Sequence, residues 1–475
     1  MKRRDFLLQS SLSAAAVLTS KYSLAQETGF PTVRTAPADR KFTSVAVENI
    51  ISTLEKNIPN KEIAWLFGNC FPNTLDTTVD FEMNGKKPDT YVITGDIDAM
   101  WLRDSTAQVW PYIPLCKEDK KLQQLIAGVI NRQTKCILLD PYANAFYKDP
   151  HKESEWKSDI TEMKPGIHER KWEIDSLCYP VRLAYGYWKE TGDSSPFDND
   201  WKAAMRLVVK TFREQQRIHN KGPYSFQRTT AWATDGVPLS GYGYPVKPNG
   251  LICSTFRPSD DATLFSYLIP SNFFAVQALG YLQKLCSAPS INEPKIASEA
   301  AALATEVNTA LQQHGIINHP EFGRIIAFEV NGFGSFHMMD DANVPSLLSL
   351  PYLGAFKPTD PLYLNTRKVV LSENNPFFYK GKAAEGIGGP HTGADTIWPM
   401  SIILRGITSN DDQEIKKCLS FLQHTHAGTG FMHESIDKDD ASKFTRKWFA
   451  WANTLFGEFV WKVYRERKQL LSAKV

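Results

Sequence analysis

Carboxylates stand beside arginine, histidine and tryptophan at several points along the 475 residues, a combination suited to acid–base chemistry on polyhydroxylated substrates. The first cluster, GDIDAMWLRDS over 95–105, puts Asp98, Trp101, Arg103 and Asp104 within seven positions. An Arg–Asp pair holds two adjacent hydroxyls, the carboxylate accepting and the guanidinium donating, while an indole stacks on the apolar face of a sugar ring. The second, GIHERKWEID over 166–175, brings Glu173 and Asp175 to a helix entry. At a spacing of two they cannot share a helix face, so either one is a pocket candidate and the other a cap or surface residue. The third, FRPSDDA over 256–262, contains the adjacent pair Asp260 and Asp261. Free N–H groups and the helix dipole explain one carboxylate at a helix start and explain two less well. A carboxyl beside a charged neighbour has a raised pKa, which a general acid working near neutral pH requires. In the fourth, GFMHESI over 430–436, Glu434 lies between a His and a Ser in a Gly-led loop. The strings GGPHTGADTIW and MDDAN add His391, Asp395 and Trp398, and Asp340, Asp341 and Asn343. Each cluster also has a plainer reading, as a helix cap with an internal ion pair or, for Glu434, as an exposed loop acid.

Other chemistries lack their motifs. No GxSxG, HExxH, phosphate loop or GxGxxG occurs. His168, His391 and His433 stand too far apart to show metal-ligand spacing, so neither a metal nor a cofactor is expected. With 54 basic against 52 acidic side chains the net charge is +2, too small for a surface that neutralises phosphates, and no nucleic-acid partner is expected. The 12 Trp, 17 Tyr and 27 Phe serve either a bulky helical core or sugar stacking.

The elements that must position these groups are mostly helical. Apolar residues recur at spacings of three and four over 43–57, 102–115, 119–138, 173–190, 197–217, 262–285, 292–314, 342–350, 394–407, 410–425 and 448–467. Strand signals are confined to 90–94 and 324–330. The polar clusters fall just before or at the start of helical runs, and the long loops 140–172, 221–257 and 374–393 are expected to build the site. About a dozen helices without a solenoid repeat suit an all-α toroid, an (α/α)6 barrel with a few short strands in its loops, or else an irregular helical bundle.

The chain opens with Lys2-Arg3-Arg4-Asp5-Phe6-Leu7, an uncharged run over 7–20 and Ser23-Leu24-Ala25. This reads as a signal peptide over 1–25, and the paired arginines followed by x-Phe-Leu point to bacterial twin-arginine export to the periplasm or beyond. A flexible leader is expected over 26–41 and a single catalytic domain over 42–475, with no membrane attachment once the signal is removed. Seven scattered cysteines without CxxC do not form a disulfide scaffold; buried free thiols are expected for most.

Six strings, TGDIDAMWLRDSTAQVWPYI, GIHERKWEIDSLCYPVRLAY, FRPSDDATLFSYLIPSNFFA, MMDDANVPSLLSLPYLG, GGPHTGADTIWPMSII, and GFMHES with FTRKWFAWANTLFGE, together resemble glycoside hydrolase family 125 over 94–458. The resemblance implies a glucoamylase-like (α/α)6 barrel. It implies an exo-acting, metal-independent α-1,6-mannosidase that inverts the anomeric carbon and takes mannose-containing oligosaccharides such as mannan or N-glycan fragments. It further implies a general acid at Asp261, with Asp260 as the alternative, and a general base at Glu434. For the terminal mannose it implies contacts from Arg103, Asp104, Glu173 or Asp175, Arg257, Asn343 and His391, with Trp101 and Trp398 for stacking. Another α-glycosidase or a phosphorylase on the same barrel, and a sugar-binding protein without turnover, are the competing readings.

Overall fold

The helices fall into two classes by how they begin. Those starting at Val45, Lys61, Lys120, Asn199, Pro361 and Asp412 are each preceded by Ser44, Asn60, Asp119, Asp198, Asp360 or Asp411, whose side chain accepts a backbone N–H of the first turn. Those starting at Leu102, Ile174, Ile269, Pro399 and Ala450 follow Trp101, Glu173, Leu268, Trp398 and Phe449, none of which makes a side-chain cap. This second class is the inner layer. Leu102–Val109 packs against Ile174–Thr191, which packs against Ile269–Ser287, while Ala450–Glu466 touches both Pro399–Ile407 and Leu102–Val109. The turn-rich segment 344–352 is bonded to two of these inner helices, Ile174–Thr191 and Ala450–Glu466. Tyr179 donates to the Val344 carbonyl at 2.8 Å, and Tyr352 donates to Glu458 at 2.9 Å. Capped helices form the outer layer, Lys120–Leu139 on Asn199–Gln215 and Asp412–His424 on Pro399–Ile407, and the uncapped Pro294–His314 packs on Ile269–Ser287. This is the (α/α)6 toroid.

The computed structural model describes residues 29–472. Val33–Val475 form one compact unit, and of the separate unit Met1–Thr32 only residues 29–32 are described. The predicted signal over 1–25 therefore lies outside the described residues. Residues 33–41, predicted as part of a flexible leader, belong to the body: Arg34 donates to Asp76 at 2.7 Å and to Glu48 at 3.0 Å. Among the described residues no helix is long and apolar enough to cross a membrane, and all seven cysteines are free and buried.

Three helical expectations are corrected. The run predicted over 262–285 begins at Ile269, because the Leu264 and Phe265 amides donate to Glu329 in a bend and are not available to a helix. The run predicted over 342–350 forms no helix; the Asp340 carboxylate takes the Leu347 and Leu348 amides instead, and Pro345 lies inside it. The run predicted over 102–115 tightens after Val109 into a 3-10 segment, Trp110–Leu115, which contains Pro111 and Pro114. Helices Lys61–Cys70 and Pro361–Val370 were not anticipated. The strands are short antiparallel pieces at the loop end, and three of them, Met100–Trp101, Ala145–Phe146 and Ile167–Glu169, tie the first two clusters together. The aromatic content goes mainly into packing: Trp172, Trp201, Tyr112 and Tyr179 are fully buried.

Candidate active site

Uncapped inner helices leave their entry residues free for other work, and the entries converge. Arg103, in the first turn of Leu102–Val109, is buried among four carboxylates. Its guanidinium reaches Glu173 at 2.6 Å, Asp175 at 3.1 Å, Asp260 at 3.0 Å and Asp104 at 3.6 Å. Clusters one, two and three thus meet on one cation. The expectation that only one of Glu173 and Asp175 faces the pocket is corrected: Glu173 sits at the helix entry with extended backbone, so the two are not bound to helical spacing and both reach Arg103.

One guanidinium cannot hold four ionised carboxylates in a buried site, and the groups separate accordingly. Burial, with the charges of Asp260 and Asp175, pushes Glu173 well above the usual carboxylate range against the pull of Arg103. Burial likewise raises Asp175 to about 6 and raises Asp104. Burial also acts upward on Asp260, but Arg103 and Lys171 outweigh it and hold that carboxyl well below its ordinary value. The carboxyls around the shared cation are thus driven apart, Glu173 upward and Asp260 downward.

The two adjacent aspartates differ sharply. Asp260 adopts a left-handed backbone, φ +66°, which turns its side chain onto Arg103 at 3.0 Å and toward Asn144 at 3.4 Å, while its carbonyl accepts from Lys171 at 2.9 Å. Asp261 is buried, its Oδ2 has no hydrogen-bond partner, and its Oδ1 lies 3.7 Å from His391 Nδ1. Burial lowers the His391 imidazole, but Asp261, then Glu434 and Asp260, raise it to about 9, so this cation faces both the SDD turn and the Glu434 loop. Neither aspartate caps a helix, since the helix that follows starts at Ile269.

Glu434 is part-buried just before the strand Ser435–Asp437 and accepts from Arg446 at 3.3 Å. Arg446, itself at φ +43°, also donates to the Thr94 carbonyl at 2.9 Å and to Asp96, which joins the fourth cluster to the first. Arg257 is buried against Glu329 at 2.7 Å, and Asn343 donates to Asp341 at 3.2 Å, an aspartate that also accepts from Ser259 of the SDD turn. Trp101 is buried against His168 with its Nε1 unpartnered; Trp398 is buried and donates to Thr392 at 2.9 Å. Asp98 and Asp395 are left outside, exposed and paired with Lys152 and Lys438.

The residues that sequence reasoning passed over are long-range partners. Lys171 joins Asp235 at 2.8 Å and the Asp260 carbonyl, Arg228 joins Asp159 at 2.7 Å and Glu169 at 3.0 Å, and Glu329 and Arg446 act as above. Lys171 and Arg446 lay inside the quoted strings, so proximity to the clusters was their available signal. Among the described residues no group of His, Cys, Asp and Glu has the arrangement of a metal site. The surface clefts of about 380–740 Å³ have neither Asp261 nor Glu434 in their walls. The convergence of the helix entries, rather than cleft size, locates the site.

Comparison with known proteins agrees with this arrangement. The family model of metal-independent α-mannosidases matches residues 60–461. A solved α-mannosidase of Streptococcus pneumoniae, captured in a non-productive complex with α-1,6-mannobiose, is 40% identical, covers 90% of this chain and all of its own, and superposes with a TM-score of 0.86. A bacterial glucoamylase bound to acarbose, 14% identical with a TM-score of 0.50 over 79% of this chain and 50% of its own, shares the fold alone. The meiotically up-regulated gene 157 protein of the fission yeast Schizosaccharomyces pombe is 42% identical over 461 residues, 93% of this chain and 90% of the relative. That relative overturns the bacterial, twin-arginine-exported, periplasmic localisation read from the first residues, since it points to a eukaryotic protein. With its family model spanning most of the body, the chain belongs to glycoside hydrolase family 125, the metal-independent α-mannosidases.

Proposed function

We propose that this α-mannosidase removes α-1,6-linked mannose from the non-reducing ends of oligosaccharides such as mannan or N-glycan fragments, with inversion at the anomeric carbon. Asp261 is the general acid that protonates the departing glycosidic oxygen. Glu434 is the general base that takes a proton from water on the opposite face of the ring. Inversion calls for two carboxyl groups roughly 6.5–9.5 Å apart, leaving room for that water. What supports this assignment above all is the contrast within the SDD turn. Asp260 is fixed as an anion on Arg103, whereas Asp261 keeps an unpartnered carboxylate oxygen beside His391, the residue that also senses Glu434.

The remaining groups bind or orient. Arg103, with Asp104 and the ionised Asp260, presents alternating donors and acceptors to sugar hydroxyls, while Glu173 and Asp175 fix the guanidinium from behind. Trp101 offers a free indole N–H, and Trp398, His391, Asn343 and Arg257 complete the wall. A buried polar partner left unpaired by an equatorial 2-hydroxyl discriminates mannose from glucose. The linkage is supported by the α-1,6-mannobiose bound to the streptococcal relative. Proton NMR of α-1,6-mannobiose with the purified protein in chelator-containing buffer tests the reading. β-Mannose appearing first is the expected result; α-mannose first, or no mannose, refutes it.

A further inference from the structure

All twelve tryptophans lie among the described residues, and eleven are buried or half-buried. Trp232 alone is exposed, with 47% of its surface open to water. Its placement is determined by a segment fastened at both ends. On one side Arg228 donates two bonds to Asp159, at 2.9 and 2.7 Å, and its guanidinium lies 3.9 Å above the Trp156 ring. On the other side Asp235 accepts from Lys171 at 2.8 Å, and the Thr234 carbonyl accepts the Ala262 amide at 2.7 Å. Between these anchors residues 229–233 are exposed. Ala262 directly follows Asp261, and the Lys171 that holds Asp235 also holds the Asp260 carbonyl. The crest bearing Trp232 is therefore stitched to the turn that carries the two aspartates.

The chemistry of the leaving group decides which part of a substrate passes this crest. A general acid protonates the glycosidic oxygen, so the sugar attached to that oxygen leaves along the acid's side of the site, while water enters from the base's side. An open indole presents a flat apolar face with a polar edge, and the apolar face of a pyranose is a cover of matching size. The crest carries no charged side chain between Arg228 and Asp235 to repel a neutral sugar.

We infer that Trp232 is the stacking platform for the leaving sugar, a binding position beyond the scissile bond that selects for a saccharide aglycone. The inference rests on the proposed acid role of Asp261. Two substrates separate its failure from a failure of that reading: α-1,6-mannobiose, whose leaving group is a sugar, and α-mannosyl fluoride, which has none. Trp232→Ala is expected to raise KM for mannobiose, lowering kcat/KM about tenfold, with turnover of the fluoride unchanged and Trp232→Phe recovering most of the loss. Equal losses on both substrates, or no loss on mannobiose, overturn the platform. A native protein that hydrolyses neither substrate overturns the glycosidase reading beneath it. Trp232 is exposed and packs no core, so an unchanged melting temperature in both variants is expected to accompany the kinetic split.

Discussion

Replacing Asp260 and Asp261 separately by Asn makes opposite demands on stability and on chemistry, and the structure sets both magnitudes. Asp260→Asn removes a charge-assisted bond to Arg103 at 3.0 Å. Such bonds contribute about 1.5–3 kcal/mol, and the lower end applies here, because Glu173 and Asp175 still hold the guanidinium and the Asn oxygen still accepts. Asp261→Asn removes only a contact with His391 at 3.7 Å, whose ion pair is lost as pH rises through about 9, so above that pH, with His391 neutral in either protein, its cost stays within about 0.5 kcal/mol. With an unfolding entropy near 2.1 cal/mol/K per residue, a chain of this length loses about 1 °C per kcal/mol. Compared above about pH 9, Asp260→Asn is thus expected to melt about 1.5–2 °C lower than the native protein, and Asp261→Asn within about 0.5 °C of it. Activity should divide the other way. Loss of a general acid costs about 10²–10⁴-fold on mannobiose, whose leaving alkoxide needs a proton, and far less on 2,4-dinitrophenyl α-mannoside, whose leaving group does not. Asp260→Asn, which disturbs binding and orientation, should lower both substrates alike. Scanning fluorimetry and initial rates on the two substrates suffice. Leaving-group dependence in Asp260→Asn, with a uniform loss in Asp261→Asn, would refute the assignment, and a larger melting shift in Asp261→Asn would refute the account of the turn.

Three further outcomes are expected. Arg446→Gln should lower kcat about tenfold on both substrates with KM little changed, because it releases Glu434 rather than a sugar contact; a change confined to KM would place Arg446 on the substrate instead. Gly430→Ala should lower the melting temperature by about 2–5 °C and reduce kcat, and an unaltered melting curve would contradict the packing. Its φ is +76°, and an added Cβ would stand 2.6 Å from Val33 and 2.9 Å from Trp65, at the entry to the Glu434 loop. His391, raised to about 9 from an ordinary value near 6.5, stabilises the fold fully below about pH 6.5 and loses that contribution as pH rises through about 9. Melting temperature should therefore fall over that interval, and His391→Asn should flatten the fall; an equally steep curve in the variant would show that the ion pair contributes nothing.

Much of this site was legible because its residues lie in continuous strings at helix entries. What those strings could not convey was orientation. The pattern DD before an apolar run reads equally as a cap and as a catalytic turn. Only the delayed start of the helix at Ile269, imposed by Glu329 taking the Leu264 and Phe265 amides, excludes the cap. Glu173 and Asp175 look mutually exclusive under helical periodicity, and become partners because Glu173 is the extended residue before the helix. The Lys171, Arg228 and Glu329 contacts join positions tens of residues apart and leave no periodic trace. Other misses had a local signal: Asn60 and Asp360-Pro361 are ordinary starts for Lys61–Cys70 and Pro361–Val370, and Gly85-Lys86, with its glycine at φ +63°, is an ordinary two-residue turn for the hairpin of Val79–Asn84 with Lys87–Val92.

The division between capped and uncapped helices carries a functional consequence. A side-chain cap satisfies free N–H groups at a helix start and contributes about 1 kcal/mol, so a short polar residue there is a residue committed to stability. Six outer helices accept that commitment at Ser44, Asn60, Asp119, Asp198, Asp360 and Asp411, and Pro294–His314 alone among the outer helices starts without it. The inner helices forgo it and place Trp101, Glu173 and Trp398 at the same position, where their side chains turn to His168, Arg103 and Thr392 respectively. Three inner entries released from capping supply Arg103, Asp104, Glu173, Asp175 and the two tryptophans of one pocket, while the outer layer holds the ring. Activity-altering substitutions should thus concentrate at inner entries, and purely destabilising ones at outer caps: Asp119→Ala should lower the melting temperature by about 1 °C and leave kcat and KM untouched, whereas the same loss of turnover at Asp119 as at Glu173 would remove the functional meaning of the division.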